Sequence, residues 1–180
     1  MAVCPITLKG ISLGCETSKG GIKRAFVAQY GDVASVSVEE GIITGITMTT
    51  ASAGAAPKFK EYNFRKGTSS MTSTYNADET TGSRFVSTEL SLVFTKMEAA
   101  KRLEISALSI GGLAVIVEDN NGKLWYLGYD NYVSASAGSG NTGTAATDSN
   151  NYSITLSDES NDYPFPLKDA SVLTDIVDFN

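Results

Sequence analysis

Gly138, Gly140 and Gly143 follow one another in the order Gly-x-Gly-x-x-Gly, the spacing with which a dinucleotide-binding turn approaches a pyrophosphate. That chemistry needs a buried strand before the turn and a helix after it, so that the helix N-terminus can hold the phosphates. Here the next residues, Thr144 to Asn150, are small and polar and lead into a strand pattern, and no Lys follows the last glycine. The motif therefore reads as a flexible or partner-ordered loop. Nucleophilic catalysis has even less to work with: the chain contains no histidine, so neither a Ser-His-Asp nor a Cys-His arrangement can exist. Glu39-Glu40 and Asp158-Glu159 are paired carboxylates, but neighbours in a strand point to opposite faces, and solvated turn charge accounts for them. Asp119, Asn120 and Asn121 lack the closing Glu and the spacing of a calcium loop. Cys4 and Cys15 are the only thiols and supply at most half of a zinc site; they read as two reduced cysteines. No catalytic residue, cofactor or metal is expected.

The elements that would position such residues are mostly strands. Ile22, Phe26, Ala28 and Tyr30 begin a strand-like pattern that turns at Gly31-Asp32, and Val36 and Val38 continue it with a period of two. Glu39-Glu40-Gly41 then turns into Ile42 to Met48, a hairpin. Thr49 to Pro57 is a small-residue loop, and Lys58–Lys66 and Ser69–Ala77 flank Gly67 as a second hairpin. Val86, Thr88, Leu90, Leu92 and Phe94 share one face of the clearest strand. Thr95-x-x-Glu98 has the form of a capping box opening a helix to Gly111-Gly112, with Met97, Ala100, Glu104, Ala107 and Leu108 near one face. Leu113–Val117 is a continuous apolar run, and Asn121-Gly122 joins it to Lys123–Tyr129 as a hairpin. In that second strand Trp125 and Tyr126 face opposite ways, so at most one joins the core and the other is free to pack on a neighbour. Ser134 to Asn151 is almost wholly Ser, Ala, Gly, Asn and Thr and reads as a long functional or flexible loop. Tyr152–Leu156 is the last strand, after which Pro164-Phe165-Pro166 opens an acidic and apolar tail.

Together these give a mainly β (α+β) chain: a β-sandwich or partial barrel of about eight strands, one packed α-helix near 95–110, and long loops. The 180 residues suit an N-terminal arm, residues 1–21, and a single β-rich domain, 22–180. The net charge of −6 lacks the basic excess with which proteins wrap nucleic acid. Met1 to Leu8 has no basic residues before its short apolar run, unlike a secretory signal, and the Asn151-Tyr152-Ser153 sequon carries little weight without one. No stretch approaches the roughly 20 apolar residues of a membrane span, so no membrane insertion is expected.

Tyr62-Asn63-Phe64-Arg65-Lys66-Gly67-Thr68, the segment Phe85 to Ile110, the run Val115 to Gly128 and the segment Ser134 to Ala145 resemble virion structural proteins of tailed phages that infect Bacteroidetes-type bacteria, crAss-like phages among them. The order of elements is also similar to the phage tail tube family. That resemblance implies a ring, commonly hexameric, of copies of this chain around a DNA channel. It implies contacts with other virion proteins, DNA that passes without specific binding, and assembly in the cytoplasm of the bacterial host. Gly138, Gly140, Asn141 and Gly143, with Gly20 and Gly21 of the arm, are the expected self-assembly residues. A head–tail connector ring or capsid-decorating protein is a second structural reading. A glycan- or receptor-binding β-sandwich using Trp125, Tyr126 or Tyr129 is a third.

Overall fold

Leu113–Val117 is apolar at every position, which suits a strand covered on both faces. The computed structural model describes residues 8–50 and 56–179 and provides both covers. The chain forms β1 (Ile22–Gln29), β2 (Val33–Glu39), β3 (Ile42–Met48), β4 (Phe59–Asn63), β5 (Ser70–Asp78), β6 (Ser83–Thr95), α1 (Ala99–Ile110) and β7 (Leu113–Asp119). It continues through β8 (Leu124–Leu127), β9 (Ser134–Asn141), β10 (Asn151–Ser160), β11 (Phe165–Pro166) and β12 (Val177–Asp178). The central sheet runs β11-β8-β7-β1-β4-β12, a second sheet β5-β6-β10-β9, and β2 and β3 form a hairpin of their own. The protein is mainly β with one packed helix.

One face of the central sheet carries Ala25, Val27, Val115, Val117 and Leu127 against Leu90, Leu92, Ile154 and Leu156 of the second sheet. The other carries Phe26, Ala28, Ala114, Ile116 and Tyr126 against Ile43 and Ile46 of β3 and Leu167, Leu173 and Ile176 near the C-terminus. Three layers thus enclose two cores, at about 1.5–3 kcal/mol for each fully buried large apolar side chain.

Several sequence expectations need correction. There are twelve strands among the described residues rather than about eight, because Ser134–Asn141 is a strand and two short ones lie near the C-terminus. The long loop expected over 134–151 therefore shrinks to 142–150. Small residues suit β9 because it needs only its backbone to pair with β10, and because the Tyr152 ring lies where a Cβ on Gly140 would stand, 3.0 Å away. Lys58–Lys66 and Ser69–Ala77 are not a hairpin. β4 pairs with β1 and β5 pairs with β6, so the chain crosses between sheets at Gly67, whose φ is +76°. The acidic-apolar tail is not a tail either: Leu167, Leu173, Ile176 and Val177 are buried, and β12 lies parallel to β4.

The capping box does not form. Thr95 ends β6, the N-cap is Glu98, and its side chain makes no capping bond. Lys96 turns the chain at φ +68°, and Asn150 holds the turn: its carbonyl accepts from the Lys96 N–H at 2.7 Å and its Oδ1 from the Met97 N–H at 2.8 Å. The packed helix face is Lys101, Ile105 and Leu108, with Met97 half-buried just before the helix, whereas Ala100, Glu104 and Ala107 are exposed. The hairpin at Asn121-Gly122 is present, but only Gly122 has positive φ (+77°). Asp119 sets the turn instead, its Oδ1 accepting from the N–H of Asn121 (2.8 Å) and Lys123 (2.9 Å).

Candidate assembly surfaces

A strand at the edge of a sheet presents unpaired N–H and C=O groups, and monomeric proteins blunt such edges with short strands, Pro, Lys or bulges. The central sheet is blunted in this way. Its outer strands β11 and β12 are two residues each, Pro164 and Pro166 flank Phe165, and Lys60 is ion-paired to Asp178 beside β12. The exposed edge of the β2–β3 hairpin is interrupted by two register shifts. The second sheet is different. Its outer strands β5 and β9 have nine and eight residues, longer than the usual five or six, and contain neither Pro nor Lys. β5 pairs with β6 without interruption. β9 has one irregularity, at Ser136, which leaves Ala137–Asn141 in regular register with Asn151–Thr155.

The outward face of this sheet follows from the register. Leu90 and Leu92 of β6 and Ile154, Leu156 and Asp158 of β10 are buried, so Ser87, Glu89 and Ser91 and then Ser153, Thr155, Ser157 and Glu159 point the other way. β5 adds Thr72 and Thr74, opposite Glu89 and Ser87, and β9 adds Ala137 and Ser139. Arg84, the only base in the four strands, shares the parity of Val86 and so stands on the opposite side. The outward face is rich in hydroxyls, with a few carboxylates, and Asn76, Phe85 and Val93 share it toward the ends of β5 and β6.

The residues singled out from sequence fall into two groups that the fold does not bring together. Gly138, Gly140 and Asn141 are in β9, on the open edge, and Gly143 is in the turn that follows, with φ +71°. That turn is held by Asp148, whose Oδ2 accepts from the N–H of Thr144 (2.8 Å) and Ala145 (2.7 Å), bonds that lower its pKa. Gly20 and Gly21 lie by the β7–β8 hairpin instead. The Gly20 carbonyl accepts from Asn120 Nδ2 at 2.7 Å, and Asn121 bonds both ways with the Lys19 backbone. They tether the arm to its own domain. Residues 8–18 of the arm are all exposed. Residues 1–7 of the arm, with Cys4, residues 51–55 of the small-residue loop, and Asn180 lie outside the described residues.

Most buried charged groups are ion-paired. Arg24 lies between Glu61 (2.9 Å) and Glu118, and Lys23 also reaches Glu118 at 3.0 Å. Burial pushes the Glu118 carboxyl up, and the two cations more than offset it, so its pKa is lowered. Asp158 is the residue that sequence reasoning passed over, because it looked like half of a solvated pair. It is 3% exposed, its Oδ2 accepts from Ser160 Oγ at 3.0 Å and the Gly128 N–H at 3.4 Å, and its Oδ1 has no hydrogen-bond partner among the described residues. Burial raises its pKa. Among the described residues no three His, Cys, Asp or Glu side chains gather as a metal site would require.

Of the aromatic residues considered for ligand stacking, Tyr126 is buried, Trp125 is half-buried with its Nε1 donating to Asp119 at 3.4 Å, and Tyr129 is exposed. No helix among the described residues is long and apolar enough to cross a membrane. Comparison with family models, with curated proteins and with solved structures finds no match.

Proposed function

We propose that this chain is a non-enzymatic virion protein of a tailed phage: a tail tube or tail-ring subunit that closes with copies of itself around a DNA channel. The observation that carries the reading is the contrast between edges. The chain blunts its central sheet and leaves β5 and β9 long and open. The sheet between them is antiparallel throughout and has an even number of strands, so β5 and β9 run in opposite directions. In a ring, rotation about the axis preserves the direction of each strand. β9 of one copy would therefore meet β5 of the next antiparallel, and the ladder would continue around the ring. Six copies would close it in the hexamer that the family resemblance implies.

The outward face of that sheet supports a lumenal role. A face of Ser and Thr hydroxyls with Glu89 and Glu159, and no Lys or Arg, offers phosphates no cation to pair with and no counterion release to drive binding, so DNA would slide rather than adhere. The reading is tested by light scattering and negative-stain microscopy of the purified chain. Rings are expected, with no retention of duplex DNA at moderate salt. A species that stays monomeric at every concentration, or binds DNA tightly, would refute it.

A further inference from the structure

Twelve large apolar side chains are exposed among the described residues, and most gather in two places. Leu8, Ile11 and Leu13 are 85–104% exposed on the arm, which joins the domain at the start of β1. Tyr30, Ile110, Tyr129, Tyr132 and Tyr163 lie where β1, α1, β8 and β10 finish and β9 starts. β1 and β7 are antiparallel, with Ile22 opposite Asp119 and Gln29 opposite Leu113, so these two places are opposite ends of the central sheet.

The aromatic end is shaped. Tyr132 lies over Gly112, where an added Cβ would come within 3.1 Å of its ring, and the Tyr30 and Tyr132 rings meet edge to face at 6.4 Å. Ile110 and Gly111 complete a hollow of about 510 Å³ beside them. The two ends also differ in charge. Asp32, Asp130 and Asp162 stand among the tyrosines, with Lys58 near Asp32 and Lys60 ion-paired to Asp178, whereas the arm carries Lys9 between its apolar residues, then Glu16, and Lys19 at its root. Ile11, Leu13 and Cys15 are spaced by two, so an extended arm would present them on one side.

We propose that the arm of one copy docks on the aromatic end of the next copy along the stack, with Ile11 and Leu13 in the hollow beside Tyr30, Tyr132 and Ile110 and Lys9 among the aspartates. This rests on the ring reading above and adds how rings join. Eleven residues of arm, 8–18, span up to about 36 Å when extended, more than the roughly 26 Å length of β1, so the reach is ample. The contact joins two different surfaces related by translation. It does not close on itself, and it generates an open stack of rings.

The test uses the full chain. Ile11→Ser/Leu13→Ser and, separately, Tyr132→Ser alter exposed positions, so ring formation is expected to persist while tube length collapses. The concentration needed for stacking should rise at least tenfold. In a second arm, Cys4→Ser with Asn131→Cys is oxidised so that Cys15 can bridge to residue 131; dimers and longer ladders on a non-reducing gel are expected. Rings that stack normally in both variants, or a bridge formed only within one chain, would overturn the inference and leave the ring reading standing. Failure of the parent chain to form any assembly would overturn both.

Discussion

Proline placed in β9 separates the two edges of that strand. Along an edge strand successive N–H groups point alternately at the partner and away from it, so of Gly138 and Ser139 one donates to β10 and the other faces the open side. Pro at the first position removes a ladder bond, and at the second it leaves the monomer intact, as Pro on sheet edges generally does. The regular part of the open edge is the five residues Ala137–Asn141. At about 0.5–1.5 kcal/mol net for each hydrogen bond, pairing of that stretch with a neighbour's β5 is worth about 3–7 kcal/mol. A proline near its middle withdraws one donor and holds the neighbouring backbone away from two or three more, a loss of about 1.5–3 kcal/mol at each interface. The dissociation constant should rise about 10- to 100-fold.

The assay is thermal melting of Gly138→Pro and Ser139→Pro, followed by sedimentation velocity over a concentration series. One of the two variants should melt like the parent and yet fail to form rings at concentrations where the parent does. If the variant with an unchanged melt assembles as readily as the parent, β9 is not an assembly edge and the reasoning from blunted and open edges fails.

Other expectations follow from individual contacts. Gly140→Val drives a side chain into the Tyr152 ring and the Met97 methyl, 3.0 and 3.2 Å from an added Cβ, and should destabilise the fold by about 1–3 kcal/mol. Gly138→Ala meets only the Ser153 carbonyl at 3.6 Å and should change the denaturant midpoint little, stabilising by at most about 1 kcal/mol. Leu156→Ala, wholly buried between the two sheets, should cost about 2–5 kcal/mol in urea unfolding. Burial raises the pKa of Asp158 above that of the unfolded chain, so the folded state holds its proton more tightly and stability falls as pH rises through that raised pKa. Asp158→Asn should remove this decline, which urea melts between about pH 4 and pH 8 would register against the ordinary aspartate range. Deleting Gly138 to Ala146 would remove half of β9, so the informative deletion is narrower. Replacing 142–150 by a short turn should keep the central fold while loosening the start of α1, which Asn150 holds.

Local chemistry explains which elements could be read in advance. The β2–β3 hairpin was legible because Val36 and Val38 recur at period two and Glu39-Glu40-Gly41 reads as a turn, where Glu40 and Gly41 take positive φ, at 50° and 78°. Leu113–Val117 was legible as a strand, and its lack of alternation already carried the information that both faces are covered. What escaped is what depends on distant partners. The helix start is satisfied by Asn150, 53 residues from Met97, and not by Thr95. β4 has its partners in β1 and β12, so the glycine beside it signals a crossing between sheets rather than a hairpin. β9 carries no apolar period at all, since an outermost strand on an otherwise complete sheet needs only backbone pairing and room beside Tyr152. The same features hid the candidate site: Gly138, Gly140 and Asn141 read from sequence as members of a loop, yet they stand in the backbone of an edge strand.

That reinterpretation changes what the small residues imply. In a loop, Ser, Ala and Gly leave the chain free; in β9 they leave its outer side unobstructed, with no Lys or Pro to hold another strand away. Elsewhere the chain shortens or interrupts its strands where they would be exposed: β11 and β12 stop after two residues, and the β2–β3 hairpin slips register twice. An isolated monomer would gain by treating β5 and β9 in the same way, since two long edges of opposite direction on one sheet invite unlimited association. A ring turns that hazard into a finite number of contacts, because every β9 that opens an edge is matched by a β5 that closes one. In the proposed ring, the open edges, the absence of bases on the hydroxyl-rich face and the unpacked apolar arm are aspects of one arrangement, in which lateral pairing would set the circumference and the arm would set the stacking.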